Sequence, residues 1–248
     1  MSDHEVAARL ATEAGQLLLA VREELADATK AVRMAAGDMR SLVYLLEALT
    51  RERPGDAVLS EEGADNPVRL HSERVWIVDP LDGTREFSEL GRQDWAVHVG
   101  LWQSGNLVAG AVALPAQGVT LATPDPAPPP AYAGEPRIVV SRTRPPAIAL
   151  QVRDHLDGTL VAMGSAGAKV AAVIQGLADV YVHAGGQYEW DSAAPVAVAR
   201  AAGLHTSRID GSPLEYNRPD PLLPDLVVCR PEYADAVLAV TGSSDPGP

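Results

Sequence analysis

The prediction of the fold rests on one segment, Val75-Trp76-Ile77-Val78-Asp79-Pro80-Leu81-Asp82-Gly83-Thr84. Its first four residues form a continuous apolar run, which is typical of a buried β-strand. The strand delivers the carboxylates of Asp79 and Asp82 into a turn that Pro80 stiffens and Gly83 permits. On a regular strand these two side chains would point to opposite faces, whereas a turn lets both reach one hard cation. An ordinary turn rich in Asp, Pro and Gly remains an alternative.

Two further acidic segments accompany this turn. Leu59-Ser60-Glu61-Glu62-Gly63 ends another short strand with paired carboxylates, and Glu189-Trp190-Asp191-Ser192-Ala193-Ala194-Pro195 opens an Ala-rich helix. Taken separately, Glu61 and Glu62 also fit a solvated loop, and Asp191 also fits a helix N-cap.

The composition excludes several classes of protein. The chain has 248 residues, is 46% hydrophobic and carries a formal net charge of −13, without a run of Lys or Arg. A nucleic-acid polymer is therefore excluded as a partner, because binding it requires a basic face. A small phosphorylated substrate stays possible if metal ions supply positive charge. The single cysteine, Cys229, excludes a disulfide framework within the chain.

The location of the protein is predicted from hydropathy and from its first residues. No apolar stretch reaches 18 residues, so no membrane span is expected. The start, Met1-Ser2-Asp3-His4-Glu5, is acidic where a signal peptide would be basic. We therefore expect a cytoplasmic protein.

Periodicity predicts helices and strands in alternation, which favours an α/β enzyme. A first helix is indicated by apolar residues at helical spacing, Val6, Leu10, Leu17, Val21 and Leu25. A second helix is predicted from Met39 to Thr50, with Asp38 as a possible N-cap. Short strands are predicted at Ala57–Ser60, Val75–Asp79, Trp95–Trp102, Leu107–Leu114 and Val119–Thr123.

A proline-rich segment divides the chain. Pro124–Pro136 contains six prolines and cannot join the interior of a sheet. We therefore predict an N-terminal α+β subdomain over residues 1–130 and a C-terminal α/β subdomain over residues 131–248. In the latter, strands are predicted at Arg137–Ser141, Thr159–Met163, Ala178–His183 and Asp225–Arg230, with helices near Pro146–Leu156, Ala166–Gln175, Ser192–Ala202 and after Pro231.

Together, the three acidic segments resemble the metal-binding signature of the inositol monophosphatase superfamily. The matching elements are the Glu-Glu pair, Asp-Pro-Leu-Asp-Gly-Thr and Trp-Asp-x-Ala-Ala, in this order. The superfamily includes fructose-1,6-bisphosphatases and 3′(2′),5′-bisphosphate nucleotidases. The resemblance implies a layered αβαβα sandwich, a Mg²⁺-dependent phosphomonoesterase that Li⁺ inhibits, and a homodimer.

The resemblance also implies which residues bind the metal ions. Glu61, Asp79 and the Leu81 carbonyl resemble the ligands of a first Mg²⁺, and Asp79 would bridge to a second ion held by Asp82 and Asp191. A third, weaker ion near Glu61 is typical of the family, so two or three ions are expected. Oxygen ligands suit Mg²⁺, and divalent ions would cancel the repulsion between the carboxylates and a phosphate.

Catalysis is expected at Thr84, whose hydroxyl would position the attacking water. The amides of Gly83 and Thr84 would bind a phosphate oxygen. The family pairs this threonine with an upstream aspartate, a place that Asp38 fits by its spacing from Glu61. Members often carry a Ser/Thr-rich stretch before that aspartate, whereas Met34-Ala35-Ala36-Gly37 stands here. Asp38 is therefore either catalytic or only a helix cap.

The second half of the chain resembles the bisphosphate nucleotidase branch. The similar elements are Val139-Val140-Ser141-Arg142, Gly164-Ser165 with Lys169, and Gly211-Ser212-Pro213-Leu214-Glu215-Tyr216-Asn217. The implied substrate is 3′-phosphoadenosine 5′-phosphate, which would connect the enzyme with sulfate assimilation. Its 3′-phosphate would bind at the metals, and its second phosphate at basic residues, Lys169 first and then Arg142, Arg144 or Arg218. Substrate contacts are expected at Glu61, Leu81, Asp82, Gly83, Thr84, Arg142, Ser165, Lys169 and Asp191.

Two alternatives remain open at this point. Inositol monophosphate or fructose 1,6-bisphosphate could be a true or additional substrate. The chain could also be a non-catalytic module that binds a phosphorylated ligand, although a pure binder has no need for a complete metal-ligand set. His98 and His183 are interpreted as strand residues without a role, and Tyr188 and Trp190 as either core residues or neighbours of the base.

Overall fold

The computed structural model describes residues 1–63 and 65–242. Its helices are α1 (Asp3–Glu24), α2 (Lys30–Glu52), α3 (Thr84–Ser88), α4 (Ala147–His155), α5 (Ala166–Ile174), α6 (Glu189–Ala201) and α7 (Ala234–Thr241). Its strands are β1 (Ala57–Ser60), β2 (Arg74–Asp82), β3 (Ala96–Gln103), β4 (Asn106–Leu114), β5 (Val119–Ala122), β6 (Arg137–Ser141), β7 (Thr159–Met163), β8 (Val180–Ala184), β9 (His205–Ser207) and β10 (Asp225–Cys229). Short 3₁₀ turns lie at Pro67–His71, Pro115–Gln117 and Pro231–Tyr233.

The described residues form two five-stranded sheets. The first has the order β1-β2-β3-β4-β5, in which β1 and β2 are parallel and the later pairs antiparallel. The second has the order β7-β6-β8-β10-β9, in which β6 pairs in parallel with β7 and β8. Strand β10 is antiparallel to both of its neighbours.

The sheets and helices stack in five layers. Helices α1 and α2 cover one face of the first sheet, α5 and α6 lie between the sheets, and α4 and α7 cover the far face of the second. The alternation of side chains along β2 explains this arrangement: Trp76 and Val78 face α1, whereas Val75 and Ile77 face the central core. The predicted αβαβα sandwich is confirmed.

Helix α6 lies very close to the first sheet because glycines face it. A Cβ atom on Gly110 would lie 2.7 Å from Cβ of Ala197 and 2.9 Å from the carbonyl oxygen of Ala194. A Cβ on Gly100 would lie 3.1 Å from the amide nitrogen of Ala194. The small residues of α6 and the glycines of β3 and β4 therefore fit each other, and they bring the N-terminal turn of α6 beside the end of β2.

The prediction for the second helix was wrong at its start. Helix α2 begins at Lys30, where the Thr29 hydroxyl accepts a hydrogen bond from the amide of Val32 at 3.3 Å. Gly37 lies inside this helix, at a place where a Cβ would be 2.7 Å from the ring of Phe87. Asp38 is therefore in the helix interior, and its interpretation as an N-cap is wrong.

Other boundaries shift less. Strand β2 continues to Asp82, and Pro231 begins a 3₁₀ turn rather than α7 itself. Helix α3 and strand β9 were not predicted, since each is too short to show a period. The division into subdomains at residue 130 stays a prediction. Helix α6 of the C-terminal half packs on the first sheet, so residues of both halves share one core. In residues 1–63 and 65–242, no helix has the length and apolarity needed to cross a membrane.

Candidate active site

A bulge at the end of β2 sets the geometry of the site. Asp79 pairs with His98 of β3 and Asp82 with Ala96, so the register shifts between them. Pro80 lies in this irregular stretch, where its lack of an N–H group does not cost a ladder hydrogen bond. The bulge thus removes the alternation that would separate the two carboxylates.

Helix α6 supplies a third carboxylate. Ligand oxygens of Asp79, Asp82 and Asp191 all lie within 4.8 Å of one another. Asp191 stands in the first turn of α6 rather than at its N-cap, and its Oδ2 accepts a hydrogen bond from the Tyr188 amide at 2.7 Å. These three residues, named here the acidic triad, are the set that the sequence assigned to a second metal ion.

The three carboxylates of the acidic triad influence one another's pKa. Burial and the charge of Asp82 raise the pKa of Asp79 well above its ordinary value. The same two causes raise the pKa of Asp191 to about 6. Burial also raises the pKa of Asp82. The hydrogen bond and the charge of His98, together with the hydrogen bond from Ser165, outweigh burial and lower this pKa to about 2. The donor set consists of oxygen atoms with uncompensated negative charge, which fits a hard divalent cation such as Mg²⁺.

The N-terminus of α5 holds Asp82 in place. Its Oδ2 accepts hydrogen bonds from Oγ of Ser165 at 2.5 Å and from the Gly167 amide at 2.6 Å, and its Oδ1 accepts one from the Ala166 amide at 3.1 Å. Free amides and the helix dipole both favour an anion at this position. Ser165, predicted to contact substrate, therefore lies directly beside a predicted metal ligand.

His98 belongs to the site, although the sequence analysis gave it no role. Its Nε2 lies 3.2 Å from Oδ2 of Asp82 and its Nδ1 lies 3.0 Å from the carbonyl oxygen of Trp190. Burial lowers the pKa of the imidazole, but Asp82 outweighs this and the pKa is raised. An imidazolium would pair with the Asp82 carboxylate through Nε2 and donate a hydrogen bond from Nδ1 to Trp190. The available signal was a lone polar residue inside an apolar strand.

Thr84 and Asp38 meet beside the triad. Gly83 adopts a left-handed conformation, with φ of 84°, and thereby starts α3 at Thr84. The Thr84 hydroxyl lies 3.1 Å from the Leu81 carbonyl oxygen and 3.2 Å from Oδ1 of Asp38. Burial and the nearby charge of Glu62 raise the pKa of Asp38 to about 6. The pair that the sequence proposed for water activation is thus in contact.

Glu61 faces the triad from the end of β1. Because β1 runs parallel to β2, with Ser60 opposite Val78, the two strands end side by side. Burial of its carboxyl group, followed by the charges of Asp191 and Asp82, raises the pKa of Glu61 to about 7, although the side chain keeps an open side to solvent. Glu61 is not part of the set of oxygens within 4.8 Å.

A polar cavity of about 240 Å³ opens next to the triad. Its lining includes five predicted substrate residues, Gly83, Thr84, Arg142, Ser165 and Lys169. Arg144 also lines it, whereas Arg218 lies on another groove and pairs with Glu215 at 3.1 Å. We call it the phosphate cavity.

Two of the cations that line it, Lys169 and Arg142, are already held by the protein. Nζ of Lys169 donates to the Ser165 carbonyl at 2.6 Å and lies 5.4 Å from the centre of the Tyr181 ring. Nη2 of Arg142 lies 2.6 Å from Oε1 of Glu86. Both side chains are therefore fixed in place at the cavity wall.

A buried polar network connects the 3₁₀ turn Pro67–His71 with α6, and the sequence analysis missed it. Nη1 of Arg69 donates to Oδ1 of Asn217 at 2.9 Å. Glu189, in the first turn of α6, accepts from the amides of Asn217 at 2.6 Å and Arg218 at 2.7 Å. Because its members are far apart in sequence, no local pattern predicts this network.

Comparison with known proteins gives a family and close relatives. The model of the inositol monophosphatase family matches residues 2–125 and 134–242. A 3′-phosphoadenosine 5′-phosphate phosphatase of Mycobacterium leprae is 52% identical over 253 residues, covering 97% of this chain and 93% of that protein. The 3′(2′),5′-bisphosphate nucleotidase CysQ of Escherichia coli strain K12 is 33% identical over 202 residues, covering 74% and 79%.

Solved structures agree on the fold. Inositol monophosphatase-II from Staphylococcus aureus superimposes with a TM-score of 0.81 at 21% sequence identity, over 96% of this chain and 92% of that one. At this level of identity the similarity concerns the fold alone.

Proposed function

Since the chain belongs to the inositol monophosphatase family, we propose that it is a Mg²⁺-dependent phosphatase that hydrolyses 3′-phosphoadenosine 5′-phosphate to AMP and phosphate. The observation that carries the proposal is the convergence of Asp79, Asp82 and Asp191 beside the hydroxyl of Thr84. A module that only binds phosphate would need neither the triad nor a polarised hydroxyl next to it.

The residues of the chain divide the work in this proposal. The acidic triad, with Glu61 and the Leu81 carbonyl, would hold two or three Mg²⁺ ions. When bound, the metal ions neutralise the carboxylates and polarise the phosphoryl group for attack by water. The Thr84 hydroxyl donates a hydrogen bond to Asp38 and accepts one from the attacking water, which orients the water in line with the leaving oxygen. The water gives up a proton through the Thr84 hydroxyl to Asp38, and the ribose oxygen takes one from solvent on leaving.

The second phosphate of the substrate is assigned to the phosphate cavity. Lys169 and Arg142 supply positive charge there, and the fixed geometry of both reduces the entropy lost on binding. Inositol 1-phosphate has no second phosphate and would not use these cations. The names of the relatives agree with a bisphosphate substrate. Inhibition by Li⁺, a homodimer and a cytoplasmic location stay predictions.

A substrate panel tests the proposed function. Phosphate release with Mg²⁺ is measured from 3′-phosphoadenosine 5′-phosphate, inositol 1-phosphate and fructose 1,6-bisphosphate, and kcat/KM is compared. The proposal predicts the highest value for the nucleotide. A preference for either sugar phosphate would assign the enzyme to another branch of the family, and no release from any of them would favour a binding module.

A further inference from the structure

An exposed apolar strip lies beside Asp191. Tyr188 and Leu222 pair across an isolated β-bridge, and they keep 41% and 44% of their surfaces exposed. Directly opposed residues of such a bridge point to the same side. The ring of Tyr188 stacks on Trp190, with centroids 4.8 Å apart and planes at 9°. We call Tyr188, Trp190 and Leu222 the aromatic strip.

The strip is rigid despite its exposure. Trp190 packs against the central core and supports the Tyr188 ring from beneath. The main chain around Tyr188 is held by hydrogen bonds from the Glu189 amide to the Pro221 carbonyl at 2.8 Å and from the Leu223 amide to the Gln187 carbonyl at 2.9 Å. A fixed, solvent-facing aromatic ring loses little entropy when a planar ligand stacks on it.

The position of the strip relative to the triad is informative. The Tyr188 amide donates to Asp191, whereas Ser165 of the phosphate cavity donates to Asp82. The strip therefore adjoins Asp191, and the phosphate cavity adjoins Asp82. Ligand oxygens of these two carboxylates lie within 4.8 Å of each other, so both features border the same site. In a nucleoside 3′,5′-bisphosphate, the base and the 5′-phosphate likewise leave the ribose in different directions. The proposed binding mode places the 3′-phosphate at the metals.

The neighbouring surface has room for a base. Leu222 also lines an open groove of about 620 Å³, together with Leu223, Pro213, Pro219 and Arg218. None of the triad lines this groove, so it is not the metal site itself. The rest of its lining is polar or charged, so the apolar contact for a base is confined to the edge formed by Leu222 and its neighbours.

We propose that the aromatic strip is the subsite for the purine base, with the base stacked on the exposed face of Tyr188. The proposal rests on the proposed function and extends it, because it makes Tyr188 a specificity-determining residue for nucleotides. Stacking on an aromatic ring is tolerant of base identity, so adenine should be favoured only modestly over guanine.

The test compares two substrates that differ only in the base. These are 3′-phosphoadenosine 5′-phosphate and its abasic analogue, which keeps both phosphates on a ribose ring without a base. The wild-type protein should show a KM about 5- to 100-fold lower for the nucleotide, the range that stacking of one base supplies. Tyr188→Ala should remove this preference, and Tyr188→Phe should keep it. Both substitutions leave the amide that binds Asp191.

Tyr132→Ala provides a matched control. Tyr132 is also 41% exposed and also has a stacking partner, the Arg137 guanidinium at 3.7 Å, but it lies in the proline-rich segment. This variant should behave as wild type with both substrates. Equal KM values of the wild-type protein for both substrates would overturn the proposal, as would equal losses on both in Tyr188→Ala. Failure of the proposed function looks different, since the wild-type protein would then hydrolyse neither substrate.

Discussion

The hydroxyl of Thr84 lies 3.2 Å from Oδ1 of Asp38, although the two residues are 46 positions apart. The contact joins the first residue of α3 to the interior of α2 and places the hydroxyl at the wall of the phosphate cavity. Because the Thr84 hydroxyl donates its hydrogen bond to Asp38, its oxygen lone pairs can accept a hydrogen bond from a water. In the proposed reaction, the hydroxyl would orient the nucleophile in this way.

Removing the hydroxyl should therefore reduce turnover more than binding. Thr84→Ala is expected to lower kcat by about 100- to 10,000-fold, the usual contribution of a positioned proton acceptor, while KM changes little. Thr84→Ser keeps the hydroxyl and should retain most of the rate. Steady-state kinetics of both variants measure this. If Thr84→Ser and Thr84→Ala lose activity equally, the methyl group and not the hydroxyl is what matters.

Lys169 should discriminate between substrates. Lys169→Met keeps the apolar stem but removes the ammonium group, and should raise the KM for 3′-phosphoadenosine 5′-phosphate by about 10- to 100-fold, as expected for a charge-assisted hydrogen bond. Inositol 1-phosphate should be affected much less. Lys30→Ala, a change of an exposed lysine on α2, is the control. Equal losses on both substrates would show that Lys169 does not contact the second phosphate.

His98 should act through Asp82 and Trp190 rather than on the substrate. His98→Asn cannot bridge both acceptors, so the Mg²⁺ concentration for half-maximal activity should rise by about 10- to 100-fold, as is common for groups that orient metal ligands. The KM measured at saturating Mg²⁺ should stay near the wild-type value. His155→Ala, on the outer helix α4, is the control. An unchanged Mg²⁺ requirement in His98→Asn would contradict this role.

The carboxylates at the site should make stability depend on pH when no metal is present. The pKa values of Asp79, Asp191 and Glu61 are raised in the folded protein, to about 6 for Asp191 and about 7 for Glu61. The folded state therefore binds more protons than the unfolded state between about pH 4 and 7, and these groups contribute stability that is lost as the pH rises through this window. Mg²⁺ should compensate for this loss.

Thermal unfolding measures the effect. In EDTA, the Tm should fall between pH 5.5 and pH 8, and the increase of Tm on adding Mg²⁺ should be larger at pH 8. Asp79→Asn should raise the Tm of the metal-free protein at pH 8, because it removes one of the repelling charges. If Mg²⁺ raised the Tm more at pH 5.5 than at pH 8, this result would contradict the raised pKa values of the carboxylates.

The sequence was sufficient where a local pattern reflects tertiary structure. The apolar run Val75–Val78 predicted a buried strand, and the structure shows why no residue of it is polar: its two faces lie in two different cores. The acidic triad could be assembled because each carboxylate stands at the end of a recognisable strand or helix. Their ligand oxygens lie within 4.8 Å of one another because of the bulge at Pro80 and the close approach of α6 to the sheet.

The sequence was insufficient where distant segments determine a residue's role. The second helix was predicted to start at Met39, but α2 begins at Lys30, and its Gly37 leaves the space that the ring of Phe87 occupies. The only local sign of His98 is that it is polar within an apolar strand, and the partners that give it a role come from β2 and from α6. Arg69 and Asn217 are 148 positions apart, and only the folded chain brings them together.

The central claim is that the acidic triad holds the metal ions that make this chain a phosphatase, and Asp191 tests it most directly. The measurement is phosphate release from 3′-phosphoadenosine 5′-phosphate over a Mg²⁺ titration by the wild-type protein, Asp191→Asn, Asp82→Asn and the control Asp154→Asn on the exposed surface of α4. Both triad variants should lose at least about 100-fold in kcat at every Mg²⁺ concentration, since charge stabilisation at the reacting phosphate is lost. The control should match the wild-type protein. Turnover near the wild-type rate in Asp191→Asn or Asp82→Asn would contradict the assignment.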